Sequence, residues 1–369
     1  MRKAKKVQNR IVFSLVILLV LGAAALIFTL VVIPKQKYKE AMELLASGEY
    51  EPAYALLEEL RRNDVVTNSK SERADALLEA EEFDEAYALL TELGKYDVIA
   101  ASKNIRADAL LEAGEGNAAY ALLAGLTDEA SRNKRMGIKL GQISETKVGR
   151  SFTLGLYEQD NNLKNGPEPI RWIVLARDGD RVLVISRYVL DCKLYDEERR
   201  PVTWETCTLR AWLNGEFLTA AFDADELKLI QTTHVTADPN PIYDVDPGAD
   251  VDDKLFLLSL YEAESYFLPD MTGIAKWRVY EQNYPELLCE PTAYSVAHGC
   301  APQSENGSAR WWLRTPGVSA SSAAWVTRSG GFRDQGSLVD CSNSLVIPGI
   351  RPAMWIDLGP RSGEEEAVP

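Results

Sequence analysis

Two sets of side chains in this sequence could do chemistry: closely spaced aspartates, and aromatic and arginine side chains beside predicted loops. The aspartates lie in the stretch ADPNPIYDVDPGADVDDK, residues 237–254. Carboxylates spaced this closely can supply the oxygen cage that Ca²⁺ prefers. The candidate metal ligands are Asp244, Asp246, Asp250 and Asp252. The stretch departs from the EF-hand pattern, because Gly248 falls at a ligand position, so a solvated acidic loop remains the alternative to a calcium site.

The second set consists of candidate ligand contacts, because aromatic faces and guanidinium groups are common in sugar and peptide contacts. Its members are Tyr243, Trp277, Trp325, Arg328, Phe332 and Arg333. We expect the turn 329–331 of a predicted hairpin, 324–339, to project toward solvent and to form one surface with the loop of Trp277. Arg314 and Arg351 lie in tight motifs and are predicted to be structural, since a buried guanidinium usually makes several fixed hydrogen bonds.

Signals of catalysis are weak. The chain has no GxSxG elbow, and His234 and His298 lack the flanking residues that would mark a general base. The five cysteines contain no CxxC spacing, which excludes a zinc-ribbon site. Their thiols could form one or two disulfides or stay free and buried. We therefore predict no catalytic residue and no cofactor other than calcium, although a hydrolase built on a Cys-His or Asp-Glu pair stays open.

An apolar stretch near the N-terminus, 11–33, reads IVFSLVILLVLGAAALIFTLVVI and has no charged residue or proline. As a helix it would be roughly 34 Å long, enough to cross a ~30 Å hydrocarbon core. The residues before it, 1–10, are basic and contain no acidic side chain. This bias predicts a single-pass signal anchor in the cell membrane, with 1–10 in the cytoplasm and the domains outside. A cleaved signal peptide is the alternative, but the small residues 23–25 lie inside the apolar run.

The net charge of −15 bears on the partners of the chain. An acidic protein repels phosphate backbones, so no nucleic-acid partner is expected. The bilayer is the partner predicted for 11–33, and an extracytoplasmic glycan or protein is the partner predicted for the remainder.

The next region is self-similar. Residues 41–60 (AMELLASGEYEPAYALLEEL), 74–93 (ADALLEAEEFDEAYALLTEL) and 107–126 (ADALLEAGEGNAAYALLAGL) follow one another at an offset of 33 residues. Apolar residues at helical spacing on both sides of a central break predict a helix, a tight turn and a second helix, the unit of an α-solenoid. The sequence around this turn resembles that of tetratricopeptide repeats, so 35–141 is predicted to be a tetratricopeptide-like array. It could be a stalk or a protein-binding groove.

From about Lys147 the apolar period becomes alternating, and short predicted strands are mixed with a few helices, which indicates an α+β domain. Four segments, TWETCTLRAWLN (203–214), DDKLFLLSLYEAESYF (252–267), ARWWLRTPG (309–317) and GIRPAMWIDL (349–358), resemble an uncharacterised bacterial domain family related to the C-type-lectin-like fold and its formylglycine-generating-enzyme branch. The resemblance implies a C-type-lectin-like α+β domain over 145–358, used for ligand display. An oxidase of the formylglycine-generating type needs a pair of cysteines near its C-terminal end, where this chain has only Cys341.

The function predicted from these features is a membrane-anchored binding module: an extracytoplasmic domain for a glycan, envelope or protein ligand, carried on a helical-repeat stalk and followed by a disordered acidic tail, 359–369. A membrane-bound scaffold whose repeats recruit a protein is the first alternative. An enzyme of unknown chemistry on the formylglycine-generating-enzyme-like fold is the second.

Overall fold

The computed structural model describes residues 17–269, 282–303, 305–342 and 346–359. The chain divides into two compact units, Met1–Ser131 and Arg132–Pro369. The first is helical in its described part and the second is rich in β-strands.

The first helix of the described chain, α1, spans Ile17–Ser47, with a π-helical turn at Phe28–Val32. Its apolar part is fully exposed to the surroundings of the protein, and the helix is long and apolar enough to cross a membrane. A signal sequence near an N-terminus has the same length and composition. The leading helix of the first repeat continues from the apolar segment without a break, while residues 11–16 lie outside the described chain.

Each of the three predicted repeats forms a pair of helices. The C-terminal part of α1, Ile33–Ser47, pairs with α2 (Tyr50–Glu59), α3 (Asn63–Glu79) pairs with α4 (Phe83–Glu92), and α5 (Tyr96–Glu112) pairs with α6 (Gly116–Leu122). A further helix, α7, follows at Glu129–Glu145.

Small and apolar residues at equivalent positions build the core of each pair. Ala41, Ala74 and Ala107 are 0% exposed, and so are the alanines of the second helices, Ala53, Ala86 and Ala119. An alanine at a helix crossing lets two backbones approach closely, and a larger side chain there has no room. The 33-residue sequence period is therefore also the period of the packing.

Contacts between neighbouring repeats recur with the same period. The guanidinium of Arg73 lies 4.3 Å from the ring centre of Tyr50, and that of Arg106 lies 3.7 Å from the ring centre of Phe83. Hydroxyl pairs join Tyr54 to Ser69 and Tyr87 to Ser102, at 3.4 and 3.1 Å. These arginine–aromatic and hydroxyl contacts join each helix pair to the next. Within the first two pairs an ion pair also recurs, since the ammonium groups of Lys37 and Lys70 lie 2.5 and 2.6 Å from the carboxylates of Glu59 and Glu92.

The described part of the second unit forms three sheets. The four-stranded sheet has the order β1 (Ser151–Tyr157), β2 (Glu168–Asp178), β3 (Arg181–Ser186) and β11 (Ala353–Asp357). The five-stranded sheet has the order β4 (Asp191–Cys192), β10 (Gly349–Ile350), β7 (Trp311–Pro316), β8 (Ser322–Val326) and β9 (Phe332–Leu338). A small antiparallel ribbon pairs β5 (Thr233–Val235) with β6 (Val251–Asp253).

Helices of the second unit pack on these sheets. They lie at Thr208–Trp212, continuing through a π-helical turn into Leu218–Ala221, and at Glu226–Leu229, Leu260–Phe267 and Ala293–Ala297. Ser259 caps the helix Leu260–Phe267. Its hydroxyl accepts a hydrogen bond from the Glu262 amide, and the Glu262 carboxylate accepts one from the Ser259 amide. The apolar segment 255–258 makes an isolated bridge from Phe256 to Ala353, and the β5–β6 ribbon comes just before it in the chain.

The boundary between the units differs from the predicted one. Residue 145 is the expected start of the second domain, yet the compact unit begins at Arg132. Ile143 is fully buried in its hydrophobic core, and Met136 and Leu140 pack against the same core. The second half of α7 is therefore part of this domain, because its apolar face is covered there.

Candidate functional site: an arginine-lined cavity

Cross-strand pairing of β7, β8 and β9 brings the candidate site together. Trp325 on β8 lies opposite Trp312 on β7 and opposite Arg333 on β9. Residues directly opposite one another in antiparallel strands share a face of the sheet, and side chains two residues apart along a strand do so as well. Arg310, two residues before Trp312, and Thr327, two residues after Trp325, therefore extend the same face.

The turn between β8 and β9 closes one side of the site. The Thr327 hydroxyl accepts a hydrogen bond from the Gly331 amide at 2.8 Å and lies 3.0 Å from the Ser329 hydroxyl. Gly330 adopts a φ of +82°, and a Cβ there would lie 2.1 Å from the carbonyl oxygen of Tyr284. The prediction that this turn projects toward solvent is wrong, because Gly330 and Gly331 are buried against the segment that contains Tyr284.

These elements enclose an open cavity of about 580 Å³. Three arginines, one glutamate and one indole line it: Arg310, Arg328, Arg333, Glu305 and Trp325. Small polar side chains, those of Gln303, Thr327 and Ser329, complete the wall together with Pro302. The volume falls within the ~300–1,000 Å³ range of small-molecule sites, but the lining is far more polar than is usual for such sites.

Two of the guanidinium groups lie on the indole of Trp325. The centre of its ring is 4.5 Å from the guanidinium carbon of Arg310 and 5.9 Å from that of Arg333. Burial, with the positive charges of Arg328 and Arg333, lowers the pKa of Arg310 below its ordinary value. Arg328 and Arg333 are thus both close enough to Arg310 to repel its charge.

The charges of Arg328 and Arg333 are not neutralised by neighbouring acidic groups. In the part of the chain that the structure describes, neither guanidinium has a carboxylate oxygen within 4.0 Å. Arg333 is exposed and Arg328 is half-buried, so both are open to a ligand in the cavity. Clustered guanidinium groups with unused donors are suited to binding carboxylate or phosphate groups.

Trp325 has a different role from the one expected of an exposed aromatic contact. Its side chain is only 6% exposed, and Arg310 lies close to its ring. Its indole Nε1–H is buried and has no hydrogen-bond acceptor among the described residues. The indole therefore forms the floor of the cavity and holds guanidinium groups in place by cation–π attraction.

The other predicted contacts lie elsewhere. Phe332 is 4% exposed and packs in the domain core, and Tyr243 is half-buried in the loop after Asn240 and does not line the cavity. Trp277 lies outside the described residues. Arg310 was not predicted as a site residue. Its position two residues before Trp312 places both on one face of the strand, but this alternation alone does not indicate a ligand contact.

The four candidate metal ligands are dispersed. Asp250 and Asp252 both contact the imidazole of His234, each at 3.2 Å, while Asp246 accepts a hydrogen bond from the Gly248 amide. Among the described residues, the only acidic groups that come within 4.8 Å of one another as a trio are those of Glu158, Asp160 and Glu168, in a different loop.

Arg314 and Arg351 are buried as the sequence predicts. Arg314 donates to both carboxylate oxygens of Glu262 and lies 3.1 Å from Asp238. Arg351 lies between the rings of Phe267 and Trp311, with its guanidinium carbon 5.1 and 5.0 Å from their centres. Both are held by the domain itself.

All five cysteines are buried and free. Burial raises the pKa of Cys207 and of Cys341 to about 12, and it also raises the pKa of Cys289. Because the thiolate is the reactive form, these three are poor nucleophiles at neutral pH.

Comparison with known proteins places most of this unit in a family. Residues 179–358 match the model described as Domain of unknown function (DUF6273). This stretch is a DUF6273 domain. No curated protein and no solved structure matches the chain. The DUF6273 domain contains every residue that lines the cavity, whereas β1, β2 and the helical repeats precede it.

Proposed function

We propose that this chain is a single-pass membrane protein that displays a ligand-binding DUF6273 domain outside the cell membrane. In this proposal the N-terminal apolar helix is a signal anchor, the 33-residue repeats are a tetratricopeptide-like stalk, and the second unit has a C-type-lectin-like fold. The ligand is a component of the cell envelope, and it binds in the arginine-lined cavity.

The proposal depends on the surroundings of two arginines, Arg328 and Arg333. Both line a cavity of about 580 Å³, and neither is neutralised by a carboxylate among the described residues. A structural arginine such as Arg314 is instead surrounded by acceptors from its own domain. Guanidinium groups that line one cavity and have no carboxylate partner among the described residues point to an external anionic ligand.

The repeats support the stalk rather than a recruiting groove. Their buried alanines pack the helices, and the repeated arginine–aromatic and tyrosine–serine contacts join one repeat to the next. Side chains engaged in this way are not available to grip a partner.

Topology is tested by adding protease to intact cells. The basic residues 1–10 before an apolar segment predict digestion of the domains outside and protection of a fragment of a few kilodaltons. A full-length protected chain would place the domains inside, and a soluble secreted product would identify the N-terminal helix as a signal peptide.

Binding is tested by sedimenting the full chain, in detergent micelles, with purified envelope fractions. Arg333→Ala is expected to release the protein, whereas Arg171→Ala is the matched control, because Arg171 is an exposed arginine of the same unit outside the cavity. EDTA is expected to leave binding unchanged, since the four candidate ligands among the aspartates of 237–254 do not form a group of three within 4.8 Å of one another. Equal binding by both arginine variants would remove the cavity from the proposal.

A second candidate function, recruitment of a protein by the repeats, has one observation in its favour. An open hollow of about 490 Å³ lies between the first two repeats and is lined by side chains that include Glu58, Asn63, Thr67 and Lys70. Deleting 35–141 while keeping the anchor separates the two candidates. Display of a binding domain tolerates the deletion, and recruitment by the repeats does not.

A further inference from the structure

We propose that the cavity binds an anionic saccharide, with the carboxylate or phosphate group of the sugar held by Arg328 and Arg333. This inference rests on the proposed function and specifies its ligand. The sugar acid of a uronate and the phosphate of a phosphosugar offer the same chemistry to a guanidinium, namely charged oxygens spaced to accept paired N–H donors.

The charges in the cavity favour an anion. Among the described residues, three arginines and one glutamate, Glu305, line the cavity, in a chain whose net charge is −15. Like charges held together raise the free energy of the empty site, and burial adds to this cost at Arg310, whose pKa is lowered. A bound anion removes the repulsion among the guanidinium groups, whereas a neutral ligand leaves it in place.

The remaining wall favours a hydroxyl-rich ligand over a peptide. Gln303, Thr327 and Ser329 offer an amide and two hydroxyl groups, which can donate and accept hydrogen bonds. The exposed apolar surface of the wall is small, because the indole of Trp325 is 94% covered, its exposed fraction being 6%. Peptide ligands usually insert an apolar or aromatic anchor, and the described residues of this wall form no apolar subsite for one.

The rigidity of the site also fits selective binding. The β8–β9 turn is fixed from outside by hydrogen bonds of Tyr284 and Asn283, since the Tyr284 amide donates to the Gly330 carbonyl at 3.0 Å and the Asn283 carboxamide oxygen accepts from the Ser329 hydroxyl at 3.1 Å. Arg328 lies in this turn and Arg333 on the strand that follows it. Their backbones are thus fixed before a ligand arrives, which limits the entropy lost on binding.

The test is a calorimetric titration of the full chain in detergent micelles with three probes of known structure: trigalacturonate, glucose 1-phosphate and the neutral maltotriose. At low ionic strength we expect at least one anionic probe to bind 10-fold or more tightly than maltotriose, and to weaken as salt screens the charges. Whichever of the two anions binds more tightly identifies carboxylate or phosphate as the group recognised.

Variants connect the measurement to the cavity. Arg328→Ala and Arg333→Ala are each expected to weaken the anionic probe by 5-fold or more, and Arg333→Lys to weaken it less than Arg333→Ala, because lysine keeps the charge but loses the paired donors. Arg171→Ala is expected to bind as the unchanged chain does.

Three results would overturn the inference: binding of neither anion, equal binding of maltotriose, or anion binding that survives both alanine variants. If the inference fails in the first or second way while envelope binding still depends on Arg333, the proposed function stands with a different ligand. If envelope binding is also indifferent to Arg333, the proposed site fails as well.

Discussion

Arginines in the two units of this chain have different surroundings. In the repeats, Arg73 stacks on Tyr50 and pairs with Glu85, and Arg106 stacks on Phe83 and donates to the Tyr87 hydroxyl. In the DUF6273 domain, Arg328 and Arg333 have no carboxylate partner among the described residues, although acidic residues outnumber basic ones, 55 to 40, in the whole chain. An acidic protein has ample means to neutralise an arginine. Where it does not, the charge is available for a ligand.

The first test concerns Arg314, an arginine of the second unit that pairs with acidic residues of its own domain. Arg314→Ala would leave Glu262 and Asp238 without the buried guanidinium that pairs with them, at a cost of about 3 kcal/mol in the free energy of unfolding. All eight tryptophans lie at position 172 or later, so their fluorescence during denaturation reports on the second unit alone. A cost as small as that of Arg171→Ala would show that Arg314 is not structural.

The second test concerns close packing in the repeats. Ala86→Leu or Ala119→Leu inserts a larger side chain where alanine is 0% exposed, and each is expected to cost about 1–3 kcal/mol. Helical circular dichroism during thermal unfolding measures the effect. Ala76→Leu, at an exposed position of α3, is the control and should leave the melting temperature unchanged. Unchanged melting of all three variants would contradict the packing described for the helix pairs.

The third test compares how much one arginine from each unit contributes to the free energy of unfolding. Arg106→Ala removes a cation–π contact between repeats and should cost about 0.5–1 kcal/mol. Arg333→Ala removes a charge that repels Arg310 and should change the free energy of unfolding by less than about 0.5 kcal/mol. Helical dichroism follows the first variant and tryptophan fluorescence the second. A larger loss for Arg333→Ala than for Arg106→Ala would assign the cavity arginine a structural role.

The two units also differ in how far their structure follows from the sequence. In the repeats, one offset of 33 residues locates the helices, the turns and the buried alanines, because each contact is local or repeats in the next unit. In the domain, local patterns also locate single elements, since the alternating apolar period from about Lys147 is followed by β1 at Ser151. The sequence interpretation fails where the position of a residue depends on contacts with residues distant in the chain.

The cavity illustrates this limit. Arg310 joins Trp325 only through the register of β7 against β8, and the turn after Trp325 is buried by Tyr284, which comes more than forty positions earlier in the chain. No spacing in the sequence reports either event. Residue type still carries information, since three of the six predicted contacts, Trp325, Arg328 and Arg333, line one cavity.

A smaller effect is expected at the turn of the second repeat. Glu81 has a φ of +62°, at the position where the first and third repeats have Gly48 and Gly114 with φ of +84° and +78°. Side chains with a Cβ are strained in this conformation, so Glu81→Gly should stabilise the repeats by roughly 0.5–1 kcal/mol. Ala80→Gly, one residue earlier at a φ of −82°, should instead destabilise them by a similar amount. If both variants lose stability, strain at Glu81 is not significant.

The smallest expected effect is a response to pH that is confined to the second unit, because both histidines, His234 and His298, lie there. Hydrogen bonds to Asp252 and Asp250 raise the pKa of His234 above its ordinary 6.5, so the stabilisation of the β5–β6 ribbon is complete below that value and is lost as the pH rises through the raised pKa. Amide exchange at 233–235 and 251–253, corrected for its intrinsic pH dependence, should therefore be slower at pH 6 than at pH 8. His234→Asn should abolish the difference, and the amides of the repeats should show none. A difference that persists in His234→Asn would assign the response to another group.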